Sequence, residues 1–285
     1  MIPAEFDYVR AASVDDALDA LREHGDDARV LAGGQSLITL LRQRLAYPSV
    51  LVDVGRIEEM RGVREDGDQL VIGAATTHDE VLRDPLVRRG CPVIAEVVST
   101  VADPAVRHRG TFGGSIAHAD PASDLPALAL ALDASMEVAG SGGRRTIAAG
   151  EFFLDYFQTA IQPDEVLVSV SIPKLGDGWG HRYEKFNVVA QAWALVGAVA
   201  VVQRSNGDIG NARVGLVNMG PTPVRARAVE QAIVGSAASA DAVAAAARSA
   251  GDGTSPTSDP YASADYRTHL AQVLTGRALT AAAGI

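Results

Sequence analysis

Alternating and periodic stretches divide the chain into regular elements. Phe6-Asp7-Tyr8-Val9 alternates and predicts a short strand. From Ser13 the period changes. Val14, Ala17, Leu18 and Leu21 share one helical face, with Ser13 as cap, Asp16 at the third position and Gly25 as the stop. Arg29–Ala32 predicts a second strand, and Leu37–Leu45 a helix for which Ser36 is the candidate cap. After Pro48 follow a strand at Val50–Val54 and a hairpin over Gly62–Val71 turning at Asp66-Gly67. Thr77 and Glu80 have capping-box spacing, Pro92–Val101 predicts an apolar helix, and Ala102–Gly110 a loop. Ser123 with Pro126 opens a helix running to Leu132. Met136–Val138 and Arg145–Ala148 predict a hairpin about Ser141-Gly142-Gly143. Val166–Ile172 alternates as a strand ended by Pro173.

Leu175-Gly176-Asp177-Gly178 is the best linker. Beyond it, strands at His181–Val188, Trp193–Gln203 and Asn211–Val217 predict an antiparallel meander, the last two joined at Asn206-Gly207. Helices at Arg225–Val234, Ala240–Ala250 and Ala264–Ala281 complete the chain, with a loop at Gly251–Pro260. The expected fold class is α+β, with a nucleotide site in the first 175 residues and a sheet-plus-helices domain after it.

Two stretches stand out chemically. Ala32-Gly33-Gly34-Gln35-Ser36-Leu37 follows a predicted strand and precedes a predicted helix. Thr111-Phe112-Gly113-Gly114-Ser115 leads into Ala117-His118-Ala119-Asp120-Pro121-Ala122-Ser123-Asp124. Each holds a Gly-Gly pair followed by a small polar residue. Glycine reaches positive φ and lets backbone approach a ligand, and successive N–H groups form an anion-binding concavity. Both loops are therefore expected to hold the pyrophosphate of one dinucleotide, through the N–H groups of Gly33 to Ser36 and Gly113 to Ser115 and the hydroxyls of Ser36, Thr111 and Ser115. Neither stretch has Rossmann G-x-G-x-x-G spacing, and no P-loop occurs.

Composition narrows the classes. The chain has 285 residues, 47% of them hydrophobic, enough for two or three domains. A net charge of −10 without a basic block argues against nucleic acid and anionic membranes. The single Cys91 excludes an intrachain disulfide and an all-cysteine iron–sulfur cluster within the chain. No start resembling a signal peptide and no apolar run of bilayer length occurs, so the expected location is cytoplasmic. His78 and His118 lack partners at metal spacing, and Asp53 reads as a structural acid.

The two Gly-Gly stretches together closely resemble the paired flavin motifs of the FAD-carrying medium subunits of molybdenum hydroxylases. The closest likeness is to the aerobic carbon monoxide dehydrogenase branch. It extends to Leu51-Val52-Asp53-Val54, Gly73-Ala74-Ala75-Thr76-Thr77-His78, Asp164–Pro173 and Tyr183-Glu184-Lys185-Phe186. His108 and Phe112 depart from the usual R-N-R-G-T-I-G-G loop. The resemblance implies a PCMH-type, vanillyl-alcohol-oxidase-like FAD domain over residues 1–175, in subdomains of about 1–56 and 57–175. A carbon monoxide dehydrogenase flavoprotein-like C-terminal domain would cover 179–285. It implies FAD in this chain, with the molybdenum cofactor and two-iron (2Fe–2S) clusters in a large and a small partner subunit. A dimer of heterotrimers and an external electron acceptor are also implied.

The implied FAD-contacting residues are Ala32, Gly33, Gly34, Gln35, Ser36, Leu37, Thr111, Phe112, Gly113, Gly114, Ser115, Asp124, Lys185 and Trp193. Three have plainer readings. Asp124 is a first-turn acid or a ligand for a ribityl or ribose hydroxyl. Lys185 is a solvent-facing strand position or a cation beside the flavin. Trp193 is core or packs against the isoalloxazine ring. No general base is assigned. The rival readings are a medium subunit of a xanthine, aldehyde, nicotine or purine hydroxylase, a free-standing flavin oxidoreductase, and an assembly subunit without cofactor.

Overall fold

The computed structural model describes residues 2–285. The fold begins with a small parallel sheet, spatial order β1-β3-β2, from β1 (Asp7–Arg10), β2 (Ala28–Leu31) and β3 (Val50–Asp53). Helix α1 (Val14–His24) connects the first two strands and buries Val14, Ala17, Leu18 and Leu21. Its capping box is complete: Asp16 N–H donates to Ser13 Oγ at 3.0 Å and Ser13 N–H to Asp16 Oδ2 at 3.1 Å. Helix α2 (Leu37–Gln43) lies between β2 and β3. It ends at Arg44, whose left-handed backbone stops it before the predicted Leu45.

The second unit is a five-stranded antiparallel sheet in the order β4-β5-β10-β6-β7. Its strands are β4 (Val63–Asp66), β5 (Gln69–Gly73), β6 (Ser135–Gly140), β7 (Gly143–Ala148) and the central β10 (Val166–Pro173). A helical layer covers it: α3 (His78–Arg83), α4 (Pro85–Gly90), α5 (Pro92–Ser99), α6 (Pro104–Arg107), α7 (Phe112–His118) and α8 (Asp124–Ala131). Helix α3 carries the Thr77–Glu80 capping box. α4 goes beyond the periodicity reading: Asp84 caps it and Pro85 starts it. α9 (Ala149–Phe152) leads to a small hairpin of β8 (Phe153–Asp155) and β9 (Gln158–Thr159).

The third unit is an antiparallel sheet, β11-β12-β13-β14, from β11 (Trp179–Phe186), β12 (Val196–Ser205), β13 (Asp208–Val217) and β14 (Val224–Arg225). Helices α10 (Arg227–Ile233), α11 (Ala240–Ala247) and α12 (Ala264–Ala283) follow. The apolar run of β12 reflects burial on both faces. Val199 and Val201 join the core shared with α8, whereas Val196, Ala198, Ala200 and Val202 join the core shared with α12. The predicted strand start at Trp193 is corrected: β12 begins at Val196, and Trp193 lies in the preceding loop.

The third sheet docks on α8 through Gly215, where an added Cβ would overlap the Ala127 carbonyl oxygen and come 3.0 Å from Ala131 Cβ. Gly215→Ala is expected to destabilise the protein by about 1–3 kcal/mol through forced separation of sheet and helix. Urea unfolding checks this, and an unchanged midpoint would show that the contact does not hold the two layers together.

Candidate flavin site

A cavity of about 750 Å³ runs between the three units, within the size range of cofactor sites. Of the proposed contact residues, all but Phe112 line it: Ala32 to Leu37 from the first motif, then Thr111, Gly113, Gly114, Ser115, Asp124, Lys185 and Trp193. Phe112 is fully buried in the core.

The two Gly-Gly stretches do different physical work. In the first, the chain leaves β2 and turns at Gly34, whose φ is +75°. The N–H groups of Gly33, Gly34, Gln35 and Ser36 donate to no group among the described residues. Four residues that line the cavity thus keep unengaged backbone donors, the property an anion requires. Ser36 does not cap α2 with its side chain. Gly33 has a second role: an added Cβ would overlap the Arg109 carbonyl and lie 2.7 Å from Gly110 Cα, so the first loop rests directly on the approach to the second.

The second stretch is not a loop. Thr111 caps α7, and Phe112 to Ser115 form its first turn. Its N–H groups are engaged: Phe112 with Thr76 O at 2.9 Å, Gly113 with Ala74 O at 2.9 Å, Gly114 with Thr111 Oγ1 at 3.1 Å and Ser115 with Thr111 O at 3.1 Å. The expected N–H cradle at Gly113 to Ser115 is therefore corrected: Gly113 donates to the Ala74 carbonyl, and Gly114 and Ser115 to Thr111. Gly113 is small because Ala74 Cα would sit 2.5 Å from its Cβ. At Gly114 an added Cβ would lie 2.6 Å from Thr111 Oγ1, the oxygen that caps the turn.

The inner wall is a buried charge cluster. Asp124, at the start of α8, accepts hydrogen bonds from Lys185 Nζ at 2.8 Å and Tyr183 Oη at 2.5 Å. Lys185 Nζ also donates to Thr100 O at 3.2 Å. The solvent-facing reading of Lys185 falls here, since its side chain is only 8% exposed. Asp124 is the first-turn acid of α8, as the plainer reading has it, and its side chain is 5% exposed. Burial pushes the Asp124 carboxyl above the ordinary range against the pull of the Lys185 ammonium. Burial and the neighbouring carboxylate hold the Tyr183 phenol well above its usual value. Glu96 on α5 fixes the strand that carries the cluster, accepting from His181 Nδ1 at 2.8 Å and Tyr183 N–H at 3.1 Å. Tyr183 as an Asp124 partner was beyond sequence reasoning, since 59 positions separate them.

Trp193 stands at the mouth, 57% exposed, which excludes the core reading. Phe157 of the β8–β9 turn also lines the cavity and packs on His118, with ring centroids 5.2 Å apart. His78 lines the cavity while 3% exposed, and its Nδ1 has no hydrogen-bond partner. Burial, aided by Arg107, lowers its pKa to about 4. Asp53 is structural, as expected: it accepts from Tyr8 Oη and from Gly55 N–H at 2.8 Å.

An open glycine loop, a capped helix turn and a buried charge cluster surround one cavity, and neither glycine stretch has Rossmann spacing. Residues 4–175 match the family described as FAD binding domain in molybdopterin dehydrogenase, and residues 181–282 the CO dehydrogenase flavoprotein C-terminal domain. The chain belongs to the FAD-binding medium subunits of the molybdenum hydroxylase family, a family of oxidoreductase components. It is 39% identical to the carbon monoxide dehydrogenase medium chain of Hydrogenophaga pseudoflava, over 99% of this chain and 98% of the other. It is 36% identical to the 6-hydroxypseudooxynicotine dehydrogenase complex subunit alpha of Paenarthrobacter nicotinovorans, over 99% and 96%. The solved carbon monoxide dehydrogenase from Hydrogenophaga pseudoflava superposes with a TM-score of 0.97 at 41% identity, covering 99% of this chain and 98% of that one. Among the described residues no helix is long and apolar enough to cross a membrane.

His78 makes stability depend on pH. Its pKa is lowered on folding, so the unfolded chain binds the proton first, and stability is lost as pH falls from about 6.5 toward 4, by up to about 3 kcal/mol. Urea unfolding of His78→Gln over this window should show a shallower decline than the parent protein. Identical slopes would exclude a buried neutral His78.

Proposed function

We propose that this chain is the FAD-carrying electron-transfer subunit of a molybdenum-containing hydroxylase, of the carbon monoxide dehydrogenase type. The observation that carries this is the set of four unengaged backbone N–H groups at Gly33 to Ser36, residues that line a cavity of about 750 Å³. They offer the pyrophosphate its donors. Ala32, Gln35, Leu37, Thr111, Gly113, Gly114 and Ser115 shape the remaining dinucleotide channel; Phe112 supports it from behind. Bound FAD supplies redox chemistry, taking electrons from a 2Fe–2S subunit fed by a molybdenum subunit and passing them to an external acceptor.

Asp124, Tyr183 and Lys185 form the polar wall, and Trp193 covers the mouth. Asp124 orients Lys185 and offers its carboxylate to a ligand hydroxyl. Lys185 places its ammonium at the wall, already paired by Asp124 at 2.8 Å. Residues 1–175 and 179–285 act as two structural units, with the site completed only when the second brings Tyr183, Lys185 and Trp193. The full-length likeness to medium chains supports partnership with a large and a small subunit in a dimer of heterotrimers. Location in the cytoplasm is part of this reading.

The deciding experiment is an absorption spectrum of the chain purified with its natural partners, before and after anaerobic addition of carbon monoxide. A flavin band bleached by carbon monoxide supports both the cofactor and the parent reaction. A band that responds only to dithionite assigns the subunit to another hydroxylase, of the nicotine or purine type for example. Absence of a flavin band overturns the reading. Asp124→Asn should raise the FAD dissociation constant about tenfold or more in a titration of refolded apoprotein, because one hydrogen-bonding charge is lost. Lys185→Met removes the ammonium from the wall and should move the flavin potential to more negative values. An unchanged potential in redox titration would exclude a role for Lys185 beside the ring.

A further inference from the structure

We infer that Asn218 is a positioning residue for the cavity mouth: it ties the loop that carries Trp193 to the segment that leads into Asp124. This rests on the FAD reading given above. The loop between β11 and β12 is held weakly by itself. One turn bond, Ala192 N–H to Val189 O at 2.9 Å, and one closing bond, Leu195 N–H to Phe186 O at 2.7 Å, are its internal hydrogen bonds. A connection of this length on the surface moves unless something outside holds it.

Asn218 supplies that hold. It follows β13 directly and is half-buried. Its Nδ2 donates to Ala194 O at 2.9 Å and to Leu195 O at 3.3 Å, the two carbonyls after Trp193. Two carbonyls facing one amide fix its orientation, since only the nitrogen end donates. The backbone N–H of the same residue donates to Pro121 O at 2.8 Å. Pro121 stands three positions before Asp124, in a turn braced by Asp120, which accepts from Ala122 N–H at 2.9 Å. One residue therefore spans from the rim of the cavity to the approach of its polar wall.

The backbone of Asn218 adds to the case. Its φ is +61°, a left-handed conformation that Asn tolerates better than most non-glycine residues. That conformation lets the N–H engage Pro121 while the side chain turns to the loop. Arg267 of α12 reinforces the anchor from beneath. It is 2% exposed, donates to the same Leu195 carbonyl, and is itself held by Asp259 at 2.5 Å. Leu195 O thus accepts from two side chains, while Ala194 O depends on Asn218 alone among the described residues.

The role assigned to Asn218 is to set how closely Trp193 stands over the cavity. Its test uses the full-length chain in a Trp179→Phe background. Only two tryptophans occur in the sequence, so Trp193 becomes the sole emitter. Asn218→Asp keeps the shape and removes the donor; Asn218→Gly keeps the left-handed backbone and the Pro121 bond and removes the side chain. Acrylamide quenching of Trp193 and FAD titration are measured well below the thermal transition. Both variants should raise the quenching constant about twofold as the loop is released, and should raise the FAD dissociation constant about fivefold to tenfold.

Wild-type quenching and affinity in a folded variant overturn the proposal, even if Tm falls, because a purely stabilising role moves Tm alone. Increased quenching with unchanged FAD affinity also overturns it, since the loop would then not shape the ligand wall. If the parent chain itself takes up no FAD, the flavin reading fails, while quenching of the ligand-free chain still decides whether Asn218 holds Trp193. Should Asn218→Asp not fold, the same two measurements on Asn218→Gly decide the matter.

Discussion

Helix α8 is buried almost all round, and both halves of the chain are built on it. Leu125, Ala127, Leu128, Ala129 and Ala131 are all in the core. A helix apolar on every face must be covered on every face. The five-stranded unit covers it from one side and the β11–β13 sheet from the other, with Gly215 allowing backbone contact at Ala127. The same helix begins with Asp124. Covering α8 therefore buries a carboxylate, and that charge requires partners. Tyr183 and Lys185 arrive on β11, the strand next to the one that packs on α8. The polar wall of the cavity is thus a consequence of how the apolar helix is enclosed.

That enclosure sets the balance of forces in the site. Desolvation favours a neutral Asp124, and the Lys185 ammonium at 2.8 Å opposes it. Removing one partner of such a pair strands the other in a poorly solvated wall, at a cost of about 3–5 kcal/mol. The cluster consequently holds the two halves in register as well as shaping the cavity. His78 shows the opposite case: a buried base with no counter-charge gives up its proton and stays neutral.

The glycines divide in a way that residue spacing does not show. Gly34 alone of the four uses left-handed backbone. Gly33 and Gly113 are small because backbone or Ala74 lies against them, and Gly114 because Thr111 Oγ1 does. Identical Gly-Gly dipeptides thus serve an open N–H loop in one place and the tight first turn of a helix in the other. The distinction lies in whether their N–H groups stay unengaged or bond to Ala74 and Thr111.

Local chemistry was enough for much of this protein. Ser13 with Asp16 and Thr77 with Glu80 form their capping boxes, because each joins groups only three residues apart. The apolar run of β12, the meander and the helices after it, and the two glycine stretches that brought the flavin family into view were equally legible. What the sequence could not decide depends on contacts across tens of residues. Trp193 follows a strand-like pattern, yet the carbonyls after it bond to side chains of Asn218 and Arg267 rather than to a neighbouring strand, so it sits in a loop at the rim. The second glycine stretch is helical because Ala74 and Thr76 accept its N–H groups. Asp124, Tyr183 and Lys185 become one cluster only when β11 is laid beside α5 and α8. Short-range hydrogen bonds and periodicity determine elements; which charges meet, and which donors remain free, is decided by packing alone.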